Sequence, residues 1–285
     1  MKTGFIGAGK VGFTLGKYLT EHGKKVTGYY SRNTHSAREA AQFTDTKACD
    51  SLAELIHESD VLFLTVPDSS ITSVYEEIAA HPIRGKYICH CSGEKTSAEA
   101  FPGIDKTGAY EYSVHPLFAV SDKYHAYEEL PDVFFTIEGN KDHLDGIRGM
   151  LSEAGLQTRL IDPADKTRYH AAAAAASNLV IGLLDQSISM LGECGFSEED
   201  ARAALTPLVL GNVRHLLRDG TVQALTGPVE RSDTETVRKH LASLDSRRDK
   251  VLYSLLSLRL ADIAQRKHPD RDYTAVEKIL EEFAE

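Results

Sequence analysis

The stretch KTGFIGAGKVG near the start of the chain joins an apolar run to a glycine-rich turn and then to the helical pattern KVGFTLGKYLTEHG. The turn has the pattern G-x-G-x-x-G, formed by Gly7, Ala8, Gly9, Lys10, Val11 and Gly12. The first glycine of such a turn permits a tight bend, the second lets the backbone approach a pyrophosphate, and the third allows close helix–strand packing. Because the helix N-terminus adds free amides and a partial positive charge, the segment predicts a dinucleotide-binding unit.

Strand-like and helical segments continue to alternate through the first half of the chain. KKVTGYYS, DVLFLTVPD, GKYICHCSG and DVFFTIEG are apolar runs, and SSITSVYEEIAAH is a helical pattern between two of them. Such alternation favours a parallel sheet with right-handed crossovers. After LQTRLI only helical patterns follow. We therefore expect an α/β protein, with a Rossmann-type, doubly wound and mostly parallel sheet over residues 1–161 and an all-helical domain over residues 162–285.

The start signals of the helical half are explicit. Asp162 is placed to cap a helix that has Pro163 in its first position. No proline follows before Gly195, so one helix of roughly 30 residues is expected. Ser197 with Asp200, and Ser232 with Glu235, have the spacing of capping boxes at two later helices.

Composition narrows the class of partner. The 285 residues carry a net charge of −10, which argues against duplex nucleic acid and anionic membranes. No apolar run approaches the roughly 20 residues of a membrane span, and the first residues enter structure directly, as in a cytoplasmic protein. The four cysteines lack zinc-ligand spacing, so we expect reduced thiols and no metal.

The end of the second strand predicts which dinucleotide binds. An NAD enzyme usually has Asp or Glu about 20 residues beyond the glycine turn, to accept from the ribose 2′-hydroxyl. This chain has Ser31, Arg32 and Asn33 there. A carboxylate would repel a 2′-phosphate, whereas guanidinium and hydroxyl groups bind it. The sequence therefore favours NADP, although a solvated arginine in a turn would look the same.

Ligands of such sheets bind beyond the carboxyl ends of the strands. Val66, Pro67 and Asp68 follow the fourth predicted strand and are expected to border the cofactor. Ser92 and Gly93 leave the fifth strand and are expected near the reactive ring. His115, in SVHPLF, precedes a proline on another exit loop and is a further candidate for the site, although a lone loop histidine is more often structural.

The segment RYHAAAAAASN places His170, Ala174 and Asn178 on one helix face, at spacings of four residues. A run of alanines leaves room for a flat group, such as a nicotinamide stacked on a substrate, to lie against the helix backbone. Alanine is also the best helix former, and alanine faces pack helices closely. Both interpretations, a site and a packing face, stay open.

GFIGAGKVG, TVPD, HCSG, VHPL, YHAAAAAASN and LTGPVERSD together resemble the Rossmann-like proteins with a DUF2520 C-terminal domain. These are relatives of pyrroline-5-carboxylate reductase, ketopantoate reductase and the β-hydroxyacid dehydrogenases. The resemblance implies a helical domain like that of 6-phosphogluconate dehydrogenase, usually dimerised, and hence a homodimer through that domain. It supplies no substrate.

In β-hydroxyacid dehydrogenases and ketopantoate reductase, the long helix that opens the second domain carries a catalytic lysine four residues before an asparagine. Matching Asn178 to that asparagine puts Ala174 in the place of the lysine. This argues against an ordinary member of either group. His170 lies one turn earlier on the same face, and histidine exchanges a proton near neutral pH. We expect His170 to be the acid, His115 to be the less favoured alternative, and Asn178 and Ser92 to orient the substrate.

LTGPVERSD is a second polar motif. Part of it is ordinary helix-start chemistry, because Ser232 stands just ahead of a helical pattern. Thr226 and Arg231 are nevertheless candidates for binding a substrate carboxylate, for which the planar fork of arginine is suited.

The leading hypothesis is an NADP-dependent oxidoreductase that transfers hydride to or from a small carboxylated imine or ketone in a cleft between the domains. One alternative is a β-hydroxyacid or ketopantoate-type dehydrogenase, which Ala174 disfavours. Another is a non-catalytic redox sensor that binds NADP and signals to a partner. A structural dimer with a vestigial site is the third. A site that groups the polar candidates would favour the enzyme, and their dispersal over separate surfaces would favour the sensor.

Overall fold

The computed structural model describes residues 1–284, and seven strands form its single sheet. Their bounds are β1 (Lys2–Ile6), β2 (Lys25–Tyr30), β3 (Val61–Leu64), β4 (Tyr87–His90), β5 (Tyr110–Pro116), β6 (Phe134–Gly139) and β7 (Gln157–Leu160). The strand order is β2-β1-β3-β4-β5-β6-β7. All neighbours are parallel except β5 and β6, which are antiparallel. The predicted mostly parallel, doubly wound sheet is confirmed.

Thirteen α-helices are present among the described residues. They are α1 (Lys10–Glu21), α2 (Thr34–Phe43), α3 (Leu52–Glu58), α4 (Ile71–Ala79), α5 (Ser97–Ala100), α6 (Leu144–Glu153), α7 (Lys166–Ala176), α8 (Asn178–Glu193), α9 (Glu198–Asp219), α10 (Thr221–Ala224), α11 (Thr234–Ser243), α12 (Arg247–Lys267) and α13 (Thr274–Ala284). The predicted helical second half is confirmed.

The strand count of the sequence prediction is wrong by one. The segment between α2 and α3 makes a single bridge, between Tyr29 and Ala48, and does not extend into a strand. TVPD therefore follows β3 and HCSG follows β4, rather than the fourth and fifth strands. The adjacency of the two exits is unaffected, because β3 and β4 are neighbours in the sheet.

The sheet is buried on both faces. Phe5 stacks on Tyr29 and on Phe63, with ring centroids 5.2 and 5.7 Å apart, and all three side chains are fully buried. Leu62 and Ile88 belong to the core on the other face. Strands covered on two sides read as continuous apolar runs, which is why DVLFLTV carries no polar alternation.

The first turn of the helical half begins as predicted, with the Asp162 carboxylate accepting from the amide of Ala164 at 2.9 Å. The expected single helix is interrupted at Ser177, where φ and ψ are −122° and −77°. The Ser177 hydroxyl donates to the carbonyl of Ala173 at 2.7 Å. α7 therefore ends at Ala176 and α8 begins at Asn178.

The two compact units of the chain are residues 1–178 and 179–285. The strand pattern ends near the predicted boundary at residue 162, but α7 belongs to the first unit. Lys166 of α7 is buried, and Tyr169 bonds to His115 of β5. These contacts attach the helix to the sheet, although its sequence looks like part of the helical half.

The second unit has a core formed by α11, α12 and α13, with Val237, Ala261 and Ile279 at its centre. The predicted capping role of Ser232 is wrong. Asp233 is the N-cap of α11 and accepts from the amide of Thr236 at 3.0 Å. Ser232 adopts a positive φ of 58° and donates to the carbonyl of Asp272. Ser232 therefore lies in the turn before α11, and the side chain of Asp233 caps the helix instead.

The segment Pro163–Glu193 is long and apolar enough to cross a membrane by length and composition, contrary to the sequence prediction. The prediction considered uninterrupted apolar runs, whereas here the alanines of α7 and the leucine, valine and isoleucine residues of α8 raise the mean hydropathy despite the polar residues between them. Length and composition are weak grounds for a span, because core helices of soluble proteins meet the same criteria.

Gly16 and Gly149 provide a matched pair for testing the packing of the sheet. A β-carbon at Gly16, inside α1, would fall on the hydroxyl of the buried Tyr29, whereas none of the described atoms lies within 4 Å of one at Gly149 in α6. We expect Gly16→Ala to lower the free energy of unfolding by about 1–3 kcal/mol through overpacking. Gly149→Ala should raise it by about 0.5–1 kcal/mol.

Urea denaturation followed by circular dichroism measures both changes, since the chain contains no tryptophan. Equal stability of the two variants would contradict the packing of α1 on β2.

Candidate active site

The glycine turn connects β1 to α1 and is clamped by the exit of β3. Gly7 has a φ of +99°, and a β-carbon there would lie 2.6 Å from the carbonyl oxygen of Thr65. The Thr65 hydroxyl donates to the carbonyl of Gly7 at 2.9 Å, and its side chain also fills the space where a Gly12 β-carbon would be. Only glycine therefore fits at the first and third positions of the motif.

Gly9 is the N-cap of α1, and no side chain caps the first turn. The first amides of the helix are therefore available to an anion, as a pyrophosphate site requires. Gly9 itself has room for close approach, since the nearest atom to its β-position is 3.6 Å away.

A cavity of about 330 Å³ lies in front of this turn. Its walls are the glycine turn, the end of β2 and the exit of β3, with further residues from α2, α3 and α4. The lining residues are Ile6, Gly7, Ala8, Gly9, Tyr30, Ser31, Arg32, Asn33, Ser36, Leu52, Thr65, Val66, Pro67, Val74 and Glu77. Most of the predicted cofactor residues thus share one cavity.

Three polar residues at the end of β2 close one end of this cavity. Asn33 also caps α2, because its side chain accepts from the amides of His35 and Ser36. Arg32 is exposed, and Ser31 is half-buried. The guanidinium is therefore free to meet a phosphate, while Asn33 has a structural task as well.

Four predicted cofactor residues do not line the cavity. Lys10 is exposed at the first position of α1, Val11 is half-buried beside it, and Gly12 is buried beneath the turn. Asp68 accepts a hydrogen bond from the Ser92 hydroxyl at 2.6 Å. That bond ties the exit of β3 to the exit of β4.

Ser92 is buried, and its hydroxyl forms three hydrogen bonds. Besides donating to Asp68, its hydroxyl accepts from the amides of Glu94 and Lys95 at 3.3 and 3.2 Å. The hydroxyl shapes the turn after β4, and its role in orienting a substrate stays a prediction.

Gly93 brings two histidines together. A β-carbon at Gly93 would lie 2.9 Å from Nε2 of His115 and 3.0 Å from Cδ2 of His170. The φ of Gly93 is ordinary, so glycine is required here by close approach rather than by backbone conformation. The two histidines, far apart in sequence, therefore stand beside the same backbone atom.

Tyr169 holds the His115 ring. Its hydroxyl and Nδ1 of His115 share a hydrogen bond of 2.7 Å, and the two rings meet edge to face. Burial, with the nearby Lys166 and His170, lowers the pKa of His115 to about 4, while Asp68 opposes this effect. Burial raises the pKa of Tyr169. Both groups are therefore neutral at pH 7, and His115 holds no imidazolium proton there.

A second cavity, of about 510 Å³, lies over the alanine run of α7. It is lined by His115, Leu117, Phe118, Ala119, Tyr169, His170, Ala172, Ala173, Ala174, Ala176, Ser177 and Asn178. His170, Ala174 and Asn178 all line this cavity, as do Ala172, Ala173 and Ala176. Asn178 lies beyond the interruption at Ser177, in α8, so the helix face predicted for the three residues does not continue to it. A packing role for the alanine run stays a prediction.

Sequence reasoning missed Lys166, one turn before His170. Its Nζ donates to the carbonyl of Ser92 at 3.0 Å and to the hydroxyl of Ser113 at 2.5 Å. The four-residue spacing 166, 170, 174 and 178 was the available signal, and a lysine in the first turn of a helix reads as solvated. Tyr169 was missed for a similar reason, since the partner of an aromatic residue lies 54 positions away.

Thr226 and Arg231 lie in the second unit. Thr226 lines an apolar cavity with residues of α9, α10 and α12, and Arg231 is exposed. Their neighbour Glu230 is held firmly: its carbonyl accepts from Tyr273 and Arg271, and its carboxylate meets His268. The LTGPVERSD turn is therefore held mainly by hydrogen bonds of Glu230, Ser232 and Asp233. The role of Thr226 and Arg231 in binding a carboxylate stays a prediction.

The sheet and the cavity at the glycine turn are those of a dinucleotide-binding domain. Residues 2–92 match the family model described as NADP oxidoreductase, coenzyme F420-dependent, and residues 133–260 match the domain of unknown function DUF2520. These matches confirm the resemblance found in the sequence and the class of cofactor. No protein of curated function matches the chain.

Solved structures share the fold over nearly the whole chain. A protein from Thermotoga maritima is 25% identical with a TM-score of 0.71, over 93% of this chain and 99% of that one. A reductive aminase from Aspergillus terreus, in complex with NADPH and ethyl-5-oxohexanoate, is 14% identical with a TM-score of 0.61, over 99% and 92%. A pyrroline-5-carboxylate reductase from Coxiella burnetii is 15% identical with a TM-score of 0.56, over 99% and 98%.

Proposed function

We propose that this chain is an NADP-dependent oxidoreductase that transfers hydride to or from a small carboxylated imine or ketone. The observation that carries the proposal is the gathering of His115, His170 and Asn178 around one cavity. That cavity stands at the exits of β4 and β5, next to the strand exits that border the glycine-turn cavity. Grouping of the polar candidates favours an enzyme over a redox sensor.

The glycine-turn cavity fits NADP. The positive φ at Gly7, the uncapped first turn of α1 and the exposed Arg32 supply a tight bend, free amides and a cation for a 2′-phosphate. NADPH, when bound, supplies the hydride. Val66 and Pro67 border the path from the glycine turn toward the turn after β4.

His170 is the group that exchanges a proton with the imine nitrogen or the carbonyl oxygen. His115, neutral at pH 7 and bonded to Tyr169, orients the substrate by hydrogen bonding instead. Asn178 provides an amide in the same cavity. The second cavity has no lysine or arginine among its lining residues. Thr226 and Arg231, in the second unit, keep their predicted role as candidates for binding a substrate carboxylate.

The β-hydroxyacid and ketopantoate-type alternatives remain weaker. Ala174 lines the cavity at the place where those enzymes, by resemblance, carry their lysine. Imine reduction asks less of a strong acid than carbonyl reduction, because a protonated imine is already electrophilic. The histidine site therefore favours imines.

Arg32→Ala tests the cofactor. Loss of the charge-assisted hydrogen bonds to the 2′-phosphate should weaken NADPH binding by about tenfold or more and leave NADH binding unchanged. Isothermal titration measures both affinities. Arg38→Ala, an exposed arginine of α2 outside the cavity, is the matched control. The proposal fails if the wild-type chain binds neither dinucleotide.

His170→Asn tests the chemistry. Loss of a general acid should lower kcat by about 10²–10⁴-fold with a panel of carboxylated cyclic imines and small keto acids, while NADPH affinity stays unchanged. His125→Asn, at an exposed histidine outside the cavity, serves as the control. Unaltered kcat in His170→Asn would move the acid to another residue.

We also propose a homodimer through the helical unit. None of the described residues of α8 is buried, and α9 buries only Ala201. Ile181, Leu208 and Leu217 are 68%, 60% and 80% exposed. Helices with such faces are stabilised by packing against another surface, and the resemblance implies a second copy of the chain. A membrane is disfavoured because Asp185 and Gln186 interrupt the apolar face of α8.

The oligomeric state tests the dimer. Light scattering coupled to size exclusion should give twice the mass of the chain, and Ile181→Asp with Leu217→Asp should give the monomer mass. Leu160→Asp, at an exposed leucine of β7, should leave the dimer intact. A monomeric wild-type chain, or one that partitions into lipid vesicles, would overturn this proposal.

A further inference from the structure

Lys166 is an ammonium group in an interior with few opposite charges. Its side chain is 1% exposed, and none of the described carboxylates forms an ion pair with it. Its two hydrogen bonds go to neutral acceptors, the Ser92 carbonyl and the Ser113 hydroxyl. Burying a charge without a paired countercharge costs several kcal/mol. Burial lowers the pKa of Lys166, and the more distant Glu138, Cys91, Asp68 and Glu99 oppose the effect.

The two acceptors belong to neighbouring strands of the sheet. Ser92 begins the turn after β4, and Ser113 lies within β5. Lys166 is the first residue of α7, so one ammonium group ties the start of the helix to both strands. Because His170 lies one turn further along α7, this attachment sets how close its ring comes to the sheet.

The attachment point is next to the residue on which the histidines converge. Ser92 precedes Gly93, whose β-position lies 2.9 Å from His115 and 3.0 Å from His170. The Ser92 hydroxyl is held in turn by Asp68. A change in the Lys166–Ser92 distance therefore changes the distance between the His170 and His115 rings.

We propose that Lys166 is a positioning residue, which fixes the start of α7 against the turn after β4 and so sets where His170 stands relative to His115. The consequence for catalysis rests on the proposed function. The geometric role itself does not, because it depends only on contacts within residues 1–178. Lys166 also places a positive charge close to the histidine pair.

That charge gives a readout independent of turnover. Lys166, His170 and Asp68 shift the pKa of His115, and Tyr169 forms a hydrogen bond with the His115 ring. Lys166 lowers the pKa of His115, which lies at about 4. Removing the ammonium group should raise the pKa of His115, whereas a purely structural side chain would leave it in place once the fold is intact.

Lys166→Met and Lys166→Arg are the test variants, with Lys95→Met as the control that removes a nearby half-buried charge without touching the Ser92 carbonyl. Histidine titration by NMR, assigned with His115→Asn, should show the His115 midpoint near 4 in the wild type and higher in Lys166→Met. Lys166→Arg retains the charge and should keep a low midpoint.

The kinetic expectation separates position from charge. A displacement of about 1 Å at a reacting group costs about 10²-fold in rate, so kcat should fall by that order in both Lys166 variants, with NADPH affinity unchanged. Lys95→Met should behave as the wild type. Unchanged kcat and an unchanged His115 midpoint in Lys166→Met would overturn the proposal.

Two further measurements apply if Lys166→Met does not fold or if the chain shows no activity. If Lys166→Met does not fold, Ser113→Ala removes one of the two acceptors without adding volume, and it should also lower kcat. If the wild-type chain reduces no imine or ketone, the proposed function fails. Lys166→Arg, which keeps the charge, then decides the positioning role, because displacement of α7 should change the ring NMR shifts of His170 and His115, and unchanged shifts would overturn it.

Discussion

Parallel pairing of β1 with β3 is the constraint on which the rest of the first unit depends. It sets Ile6 opposite Leu64, so that the residues after the two strands, Gly7 and Thr65, meet at the same edge of the sheet. The Thr65 hydroxyl then closes the glycine turn, and its carbonyl leaves no room for a β-carbon at Gly7. The dinucleotide cavity follows from this pairing, because its walls are the exits of adjacent parallel strands.

The parts of the molecule that depend on local chemistry are the parts that the sequence predicted. The glycine turn and the Asp162 cap each depend on spacings of a few residues, and the structure bears out their placement. His170, Ala174 and Asn178 line one cavity, but the interruption at Ser177 divides the face that their spacing predicts. The helical second half was equally evident from periodicity. The error at Ser232 arose because the neighbouring Asp233 is an equally good cap, and the error in the strand count arose because the segment before α3 makes one bridge instead of a strand.

The missed features are long-range. Lys166 reads as an ordinary first-turn lysine until its Nζ is seen to reach Ser92 and Ser113, which are 74 and 53 positions away. Ser92 reads as a free site hydroxyl until three partners in its own turn and at Asp68 use it. No pattern within a helix or strand carries such information, because it depends on which strand exits adjoin. The division at residue 178 has the same origin, since α7 is attached to the sheet by these contacts.

The alanine run gains its meaning from the residues at its start. An all-alanine face offers neither a charge nor a hydrogen bond, so the polar work of α7 falls to residues before and after it. Lys166 anchors the helix, His170 stands one turn beyond the anchor, and Asn178 lies at the interruption where α8 begins. The regular helix fixes the distance between Lys166, which is anchored to the sheet, and the exposed His170 ring, because each residue advances the helix by about 1.5 Å.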